Sequence, residues 1–532
     1  MSNWTVRGRA AATLTLGGLL AFAGPARTLA QVSVLTYHND NARTGFVQES
    51  QLTPANVDAT HFGRLFHHAV DGYVYAQPLY VPNVAVPGEG THNLVYVATE
   101  HDSIYAFDAD DAHGSNRQPL WHFRFLDRRI GMNPVPSRDT GCSDLVPQIG
   151  ITGTPVIDPV GGTLFLVTKS KEQGQYVQRL HALDVTNGHE RFGGPIKISA
   201  SLPGSGDGSS GGMIAFDPLR EHQRPGLLLV NGIVYISWAS HCDNGPYHGW
   251  VIGYDANTLA QVSAFVTTPN GGLGGIWQSG GAPAADAGGN IYAITGNGTF
   301  DADSSGSDYG DTFLKLSTTG GLSVADYFTP FNAAMLEAGD VDLGSGGALL
   351  LPDQVGAHPH LVVGGGKEGT IYLVDRDGMG HFNPTDDSQI VQSIPAAVGG
   401  VFSTPAYWNG TIYFGGSGDA LKAFPLSGGL LSTTPASQAS TSFGFPGATP
   451  SVSANGTSDG IVWAIEHVGS KNLAPAVLHA YDATDLSHEL YNSTQKRHRD
   501  AAGGVVKFAV PTIANGKVYV AGRKRLTVYG LL

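Results

Sequence analysis

An all-β protein is what this sequence predicts, and three observations carry the expectation. The charged fraction is only 14%, 73 glycines and 30 prolines punctuate the chain, and few segments show a helical apolar period, which together read as many short strands joined by tight turns. A three-strand motif recurs along nearly the whole chain, and a repeat overrides the expectation that 532 residues hold several domains. The last repeat also stops one strand short.

Taken in order, residues 1–30 have the pattern of a secretory signal: Arg7 and Arg9, an apolar run from Ala10 to Ala23, then Thr28-Leu-Ala30 with small residues before the cleavage point. The expected mature chain is 31–532, exported to the periplasm or the medium. No other apolar run approaches the roughly 18 residues that span a bilayer, so no transmembrane segment is expected. Cys142 and Cys242 are the two cysteines, and an oxidising compartment makes one disulfide the leading expectation.

Each repeat has a small or Pro-containing first strand, a second strand with an aromatic or bulky apolar residue, and a third ending in Asp, an aromatic or a large apolar residue. Pro78, Tyr96 and Asp108 mark the first repeat, Pro155, Phe165 and Asp184 the second, Leu228, Tyr235 and Asp255 the third, and Pro283, Tyr292 and Leu316 the fourth. The more degenerate fifth has Leu349, Val362 and Asp375. Pro405, Tyr413 and Phe424 follow, then Pro450, Trp463 and Asp482, and finally Pro511, Tyr519 and Tyr529.

Four-stranded units arranged radially form a β-propeller, whose ring has to close because an open edge leaves backbone groups unpaired. Phe62 to His68, ahead of the first repeat, can supply the missing outer strand of the last. The predicted fold is therefore one eight-bladed β-propeller closed by an N-terminal strand. Stacked β-sandwiches also give short strands at regular spacing, but they have no need of the same motif eight times.

A net charge of -14 argues against a broad nucleic-acid footprint, and the basic cluster Arg523-Lys-Arg525 is short and beside a terminal strand. No dinucleotide fingerprint follows a strand, and there is no phosphate loop. In a propeller, the blade connections and the loops joining second and third strands open on one face, where ligands collect. Long loops in repeats three and four place the expected pocket chiefly among blades two to five. Cys142 and Cys242 both fall on that face.

Asp340-Val-Asp342 can bring two carboxylates to a hard cation, or set a base beside one, and Asn297 can add a carbonyl oxygen. Asx turns explain the same residues without a ligand. Trp277, between glycines, has a flat face for stacking or for lining the channel. His241, Asp243 and His248 could hold a transition metal, although their spacing matches no strong zinc signature. Lys169 and Lys367 are placed on the same face.

At these residues the chain resembles the eight-bladed quinoprotein alcohol dehydrogenase superfamily, which uses pyrroloquinoline quinone. Asn39-Asp-Asn-Ala-Arg43-Thr-Gly-Phe with Leu52 to Val57 is similar to that family's opening segment, and Gly366-Lys-Glu-Gly-Thr-Ile-Tyr-Leu-Val-Asp-Arg376 to one of its blade motifs. The resemblance covers residues 34–532. It implies quinone stacking on Trp277 with Lys367 beside it, and calcium or a lanthanide held by Asn297 and Asp342 with Asp243. It also implies that Asp340 takes the proton of an alcohol or sugar hydroxyl. The chain departs from the family in having no Glu in the long loop of blade three, no adjacent cysteine pair, and Gly339 before the first aspartate.

Three functional readings follow. The departures favour an exported binding or assembly scaffold with a degenerate cofactor site and a polysaccharide or protein partner, possessing no cofactor at all. The resemblance itself favours a quinone- and metal-dependent dehydrogenase. A glycan-acting enzyme on the same face is the third.

Overall fold

The repeated residues have identifiable physical roles in the computed structural model, which describes residues 31–467 and 474–532; the predicted signal segment lies outside the described residues. The Asp ending a third strand caps a turn. Asp108 Oδ1 accepts from the backbone N–H of Asp110 and Asp111, Asp184 Oδ1 from Thr186, Asp255 Oδ1 from Asn257 and Thr258, and Asp482 Oδ1 from Thr484. The second-strand tyrosine reaches the neighbouring blade just past that turn. Tyr96 donates to Val185 O at 3.0 Å, Tyr413 to Ala483 O at 2.8 Å and Tyr519 to Ala109 O at 3.1 Å. In these three blades the motif tyrosine is thus an inter-blade fastening, and its buried hydroxyl finds a partner.

Val32–Leu532 form one compact unit of eight radial antiparallel blades. Blade 1 is Leu79–Val86, Gly90–Thr99, Ser103–Asp108 and Trp121–Arg124. Blade 2 uses Val156–Asp158, Thr163–Glu172, Gln175–Asp184 and Ile196–Lys197, and blade 3 uses Leu228–Val230, Ile233–Trp238, Trp250–Asp255 and Gln261–Val266. Blades 4 to 7 begin at Ala284–Ala285, Leu349–Leu350, Ala406–Trp408 and Ser451–Asn455. The core lies between blades: one apolar cluster joins Tyr519 and Val528 of blade 8 to Tyr96 and Phe107 of blade 1 and Leu164 of blade 2. Among the described residues no helix is long and apolar enough to cross a membrane.

Closure occurs as the sequence predicts, through a longer strand. Phe62–Tyr73 runs antiparallel to the second half of Lys517–Leu531, from Phe62 opposite Leu531 to Tyr73 opposite Arg523, while the first half of Lys517–Leu531 pairs with Thr512–Ala514. First and last parts of the chain therefore share blade 8.

A second closure has no counterpart in the sequence reading. Residues 32–49 circle the lower face and bond to every blade in turn. Val32 N donates to Asn515 Oδ1 in blade 8, Val34 pairs with Tyr80 in blade 1, and Leu35 O accepts from Ile157 in blade 2. Asn41 Nδ2 donates to Leu229 O in blade 3, and the carbonyls of Asn41, Ala42 and Thr44 accept from Ala285, Leu350 and Tyr407 in blades 4, 5 and 6. Phe46–Gln48 pairs in parallel with residues 452–454 of blade 7, and Glu49 Oε2 accepts from Gly516 in blade 8. Tyr37 sits on the axis, packed on Ala282 of blade 4 and Val510 of blade 8. His38 bonds Pro450 O at 2.8 Å, and Arg43 Nη2 bonds Pro283 O at 2.7 Å.

Candidate functional site

Above this plug the blade connections enclose a cavity of about 340 Å³. It is lined from Asp144 in the blade 1–2 connection round to Phe508 in the blade 7–8 connection, so it is axial, and not confined to blades two to five as the loop lengths suggest. The half-buried Trp277 lines it, with Gln278 and Ser279 following at φ 42 and 48, left-handed values that a non-glycine residue adopts only under constraint. Ser279 Oγ, donating to Ser345 O at 2.6 Å, is part of that constraint. Gly296 lets Trp277 and Asp342 meet, since a Cβ there would lie 2.3 Å from Asp342 Oδ1 and 2.8 Å from Trp277 Cδ1. The indole N–H of Trp277 is buried and has no partner among the described residues.

One wall is a linked set of four side chains. Asn297 donates through its backbone N–H to Asp342 Oδ1 at 2.8 Å and through Nδ2 to Asp340 Oδ1 at 3.1 Å. Lys367 Nζ lies 2.6 Å from Asp340 Oδ1, 2.9 Å from Asp340 O and 2.6 Å from Asp342 Oδ2. Burial opposes the ammonium charge, but the carboxylates of Asp342 and Asp340 outweigh it and hold the Lys367 pKa above its ordinary value. Asp342 is buried, and the Asp340 side chain is 70% exposed.

Asp243 lines the same cavity and is hydrogen-bonded to the Tyr247 hydroxyl. Burial, with the charges of Asp342 and Asp340 added, raises its pKa even though the Tyr247 bond acts the other way. Next to it Cys242 is bridged to Cys142, Cα to Cα 5.7 Å, which ties the long loop of blade 3 to the connection between blades 1 and 2. Another part of the lining is the Arg224–Asp144 ion pair. Arg224 Nη1 donates to Asp144 Oδ2 at 2.7 Å, its guanidinium lies 4.5 Å from the Phe508 ring and 6.0 Å from the Trp277 ring, and Lys507 pairs with the same Asp144. Burial pulls Arg224 down to about 10 and Lys507 down to about 8.

Trp277, Asn297, Asp340, Asp342, Lys367 and Asp243, far apart in the chain, are thus brought to one place, the first five through direct contacts or close approach. The His241, Asp243 and His248 set is not. His241 Nε2 lies 2.8 Å from Lys169 Nζ, while His248 bonds Thr268 Oγ1 and Asp207 O. Lys169, expected on the open face, is buried and also donates to Leu219 O and Glu221 O. Among the described residues no group of three or more His, Cys, Asp or Glu side chains is arranged to hold a metal ion.

Sequence reasoning missed Arg224, Phe402, Phe445 and Phe508. A signal existed: an aromatic residue precedes the first-strand proline in Phe402-Ser-Thr-Pro405, Phe445-Pro-Gly-Ala-Thr-Pro450, Phe508-Ala-Val-Pro511 and, at a longer interval, Trp277 before Pro283. These positions end the blade connections and therefore face the axis.

Beneath the carboxylate wall, Asp311 accepts from Leu343 N at 2.9 Å through Oδ1, and Oδ2 has no partner among the described residues. Burial pushes its pKa up to about 8 from an ordinary 3.8, so it is protonated at neutral pH. The folded state then holds a proton that the unfolded state releases, and this stabilising contribution is present at low pH and lost as pH rises through about 8. Asp311→Asn lacks the dependence. The difference in unfolding free energy, wild type minus variant, is expected to fall between pH 4 and 8 with a limiting slope of about 1.4 kcal/mol per pH unit, measured by urea titration across pH. A flat difference would contradict the neutral carboxyl.

Among solved structures the chain is similar to the europium-containing methanol dehydrogenase, at 13% identity and a TM-score of 0.61, covering 94% of this chain and 98% of that one. It is also similar to quinohemoprotein alcohol dehydrogenase ADHIIG from Pseudomonas putida HK5, at 14% identity and TM-score 0.59, and to the quinohemoprotein alcohol dehydrogenase from Comamonas testosteroni, at 13% and 0.56. Each of these two alignments covers 94% of this chain and 80% of that chain. No protein-family model matches the chain, and no curated protein matches it. At these identities the likeness shows the fold, an eight-bladed β-propeller, and assigns no activity.

Proposed function

We propose that this is an exported small-molecule-binding propeller whose axial cavity takes a planar, carboxylate-bearing ligand of the pyrroloquinoline-quinone class. The observation that carries the reading is the position of Trp277 in a cavity of about 340 Å³, with the Arg224 guanidinium 6.0 Å from its ring and Lys367 also in the lining. An indole supplies a stacking surface, and the Arg224 guanidinium, of which Nη1 is on Asp144, has further N–H groups that can meet a ligand carboxylate. The signal-like segment 1–30 and the Cys142–Cys242 bridge support export.

The organic cofactor therefore fits the residues present. The metal fits poorly, because Asp340 and Asp342 already engage the Lys367 ammonium. When bound, the quinone would supply a two-electron acceptor for an alcohol or sugar hydroxyl. Lys367 and Asn297 both contact Asp340 Oδ1, which fixes the carboxylate and leaves Oδ2 to take the hydroxyl proton.

The test is a titration of purified protein with pyrroloquinoline quinone, followed by quenching of tryptophan emission, then dye-linked oxidation of a panel of alcohols and sugars. Binding at micromolar concentration is expected, with Trp277→Ala weakening it about tenfold and Asp340→Asn keeping binding while losing turnover. No quinone binding overturns the proposal. It would leave the scaffold reading, which is favoured by the exposed Phe331, Met335 and Phe445 on connections of the upper face.

A further inference from the structure

We infer that the Lys367 ammonium is the resident cation of this cavity, standing between Asp340 and Asp342 in place of a metal ion, so that ligands bind there without calcium or a lanthanide. An ammonium has three protons, and Nζ has three oxygen neighbours: Asp340 O, Asp340 Oδ1 and Asp342 Oδ2, at 2.9, 2.6 and 2.6 Å. Both carboxylates that could neutralise a hard cation are thereby engaged.

A metal entering beside this ammonium would meet like charge at close range, which opposes its binding. The other oxygens nearby do not compensate. Asn297 turns Nδ2, not its oxygen, toward Asp340, and Asp243 is bonded to Tyr247.

The placement of Lys367 is built into the backbone. Its N–H donates to Asp342 O at 3.0 Å, and a Cβ at Gly366 would lie 2.4 Å from that same oxygen, so only glycine lets the blade 5 loop approach the Asp340–Asp342 segment this closely. Removing the ammonium, by contrast, would free two carboxylates, and an amide flip at Asn297 would add Oδ1, which is buried and has no partner among the described residues. A lysine also differs from an ion in function, because its charge cannot be removed by a chelator or exchanged.

The inference concerns the cation alone and stands whether or not quinone binds, so its test contains no quinone. Terbium is titrated into the full protein with excitation through tryptophan, since Trp277 lies beside Asp342, and thermal melts are recorded with EDTA, calcium and europium. The wild type is expected to show no saturable sensitised emission at micromolar terbium and no shift in Tm. Lys367→Ala is expected to gain saturable binding, about tenfold tighter than wild type or better, and to melt higher with calcium or europium. The gain should vanish in Lys367→Ala/Asp342→Asn and be absent in Lys367→Arg. Saturable wild-type binding that Asp342→Asn abolishes would overturn the inference, as would a folded Lys367→Ala that gains nothing. If the alanine variant does not fold, Lys367→Gln is read by the same criteria.

Discussion

Arg43→Ala is expected to lower the unfolding free energy by about 3 kcal/mol or more, because it leaves several buried carbonyls without a donor at about 1–3 kcal/mol each. Arg43 is 0% exposed. Nε and Nη2 both donate to Pro283 O, at 3.0 and 2.7 Å, and Nη1 donates to Thr36 Oγ1, Tyr37 O and Asp40 O at 2.8, 2.9 and 3.0 Å. Burial pulls its pKa down to about 10, so the charge is carried at a desolvation cost that its removal would refund. The orphaned acceptors outweigh that gain, because the site lies beneath eight blades and is built of backbone that cannot be repacked. Urea unfolding of Arg43→Ala and Arg43→Lys measures the balance. Lysine should recover only part of the loss, since one ammonium cannot reach both Pro283 and Thr36 as the forked guanidinium does. A cost below about 1 kcal/mol would mean that water takes over these carbonyls.

Phe62→Ala should cost about 3–5 kcal/mol, the range for removing a buried phenyl ring. The ring is fully buried, 5.0 Å from Tyr491 in an edge contact, 5.5 Å from Trp463 and 6.3 Å from Tyr529. It belongs to the strand that closes the ring, so a cavity here also loosens the pairing of Phe62–Tyr73 with Lys517–Leu531. Limited proteolysis should show faster cleavage on either side of Phe62 in the variant, together with a lower denaturation midpoint. A stability loss without faster cleavage near the strand would place the damage in the blade 7–8 core.

The blades were legible because their signals are side chains with fixed jobs: the third-strand Asp caps a turn, and the second-strand Tyr reaches a carbonyl in the next blade. Blade 5 keeps the third-strand cap, Asp375 Oδ1 accepting from Asp377 N, but has Val362 and Val363 in place of a second-strand aromatic, which is why that unit reads as degenerate. Trp277, Asn297, Asp340, Asp342 and Lys367 could be singled out because each sits in a glycine-rich or paired-acid stretch. Phe402, Phe445 and Phe508 carry only the weaker signal of an aromatic before the first-strand proline, and Arg224 carries none, because it is one side chain on its own connection and gains meaning only when the ring closes. Lys169 is expected on the open face from its place toward the end of a second strand, but its ammonium reaches the carbonyls of Leu219 and Glu221 in the next connection. The ring of contacts made by residues 32–49 is not legible in the sequence, although 39–46 resemble a known opening segment, since most of its bonds are backbone to backbone and tolerate many side chains.

With Tyr37, His38 and Arg43 filling the narrow end of the bore, the molecule is a blind socket and not a pipe. Whatever enters past Phe402, Phe445 and Phe508 must leave by the same doorway, so entry and release share one barrier. A long polymer could present only its tip to Trp277, never its middle.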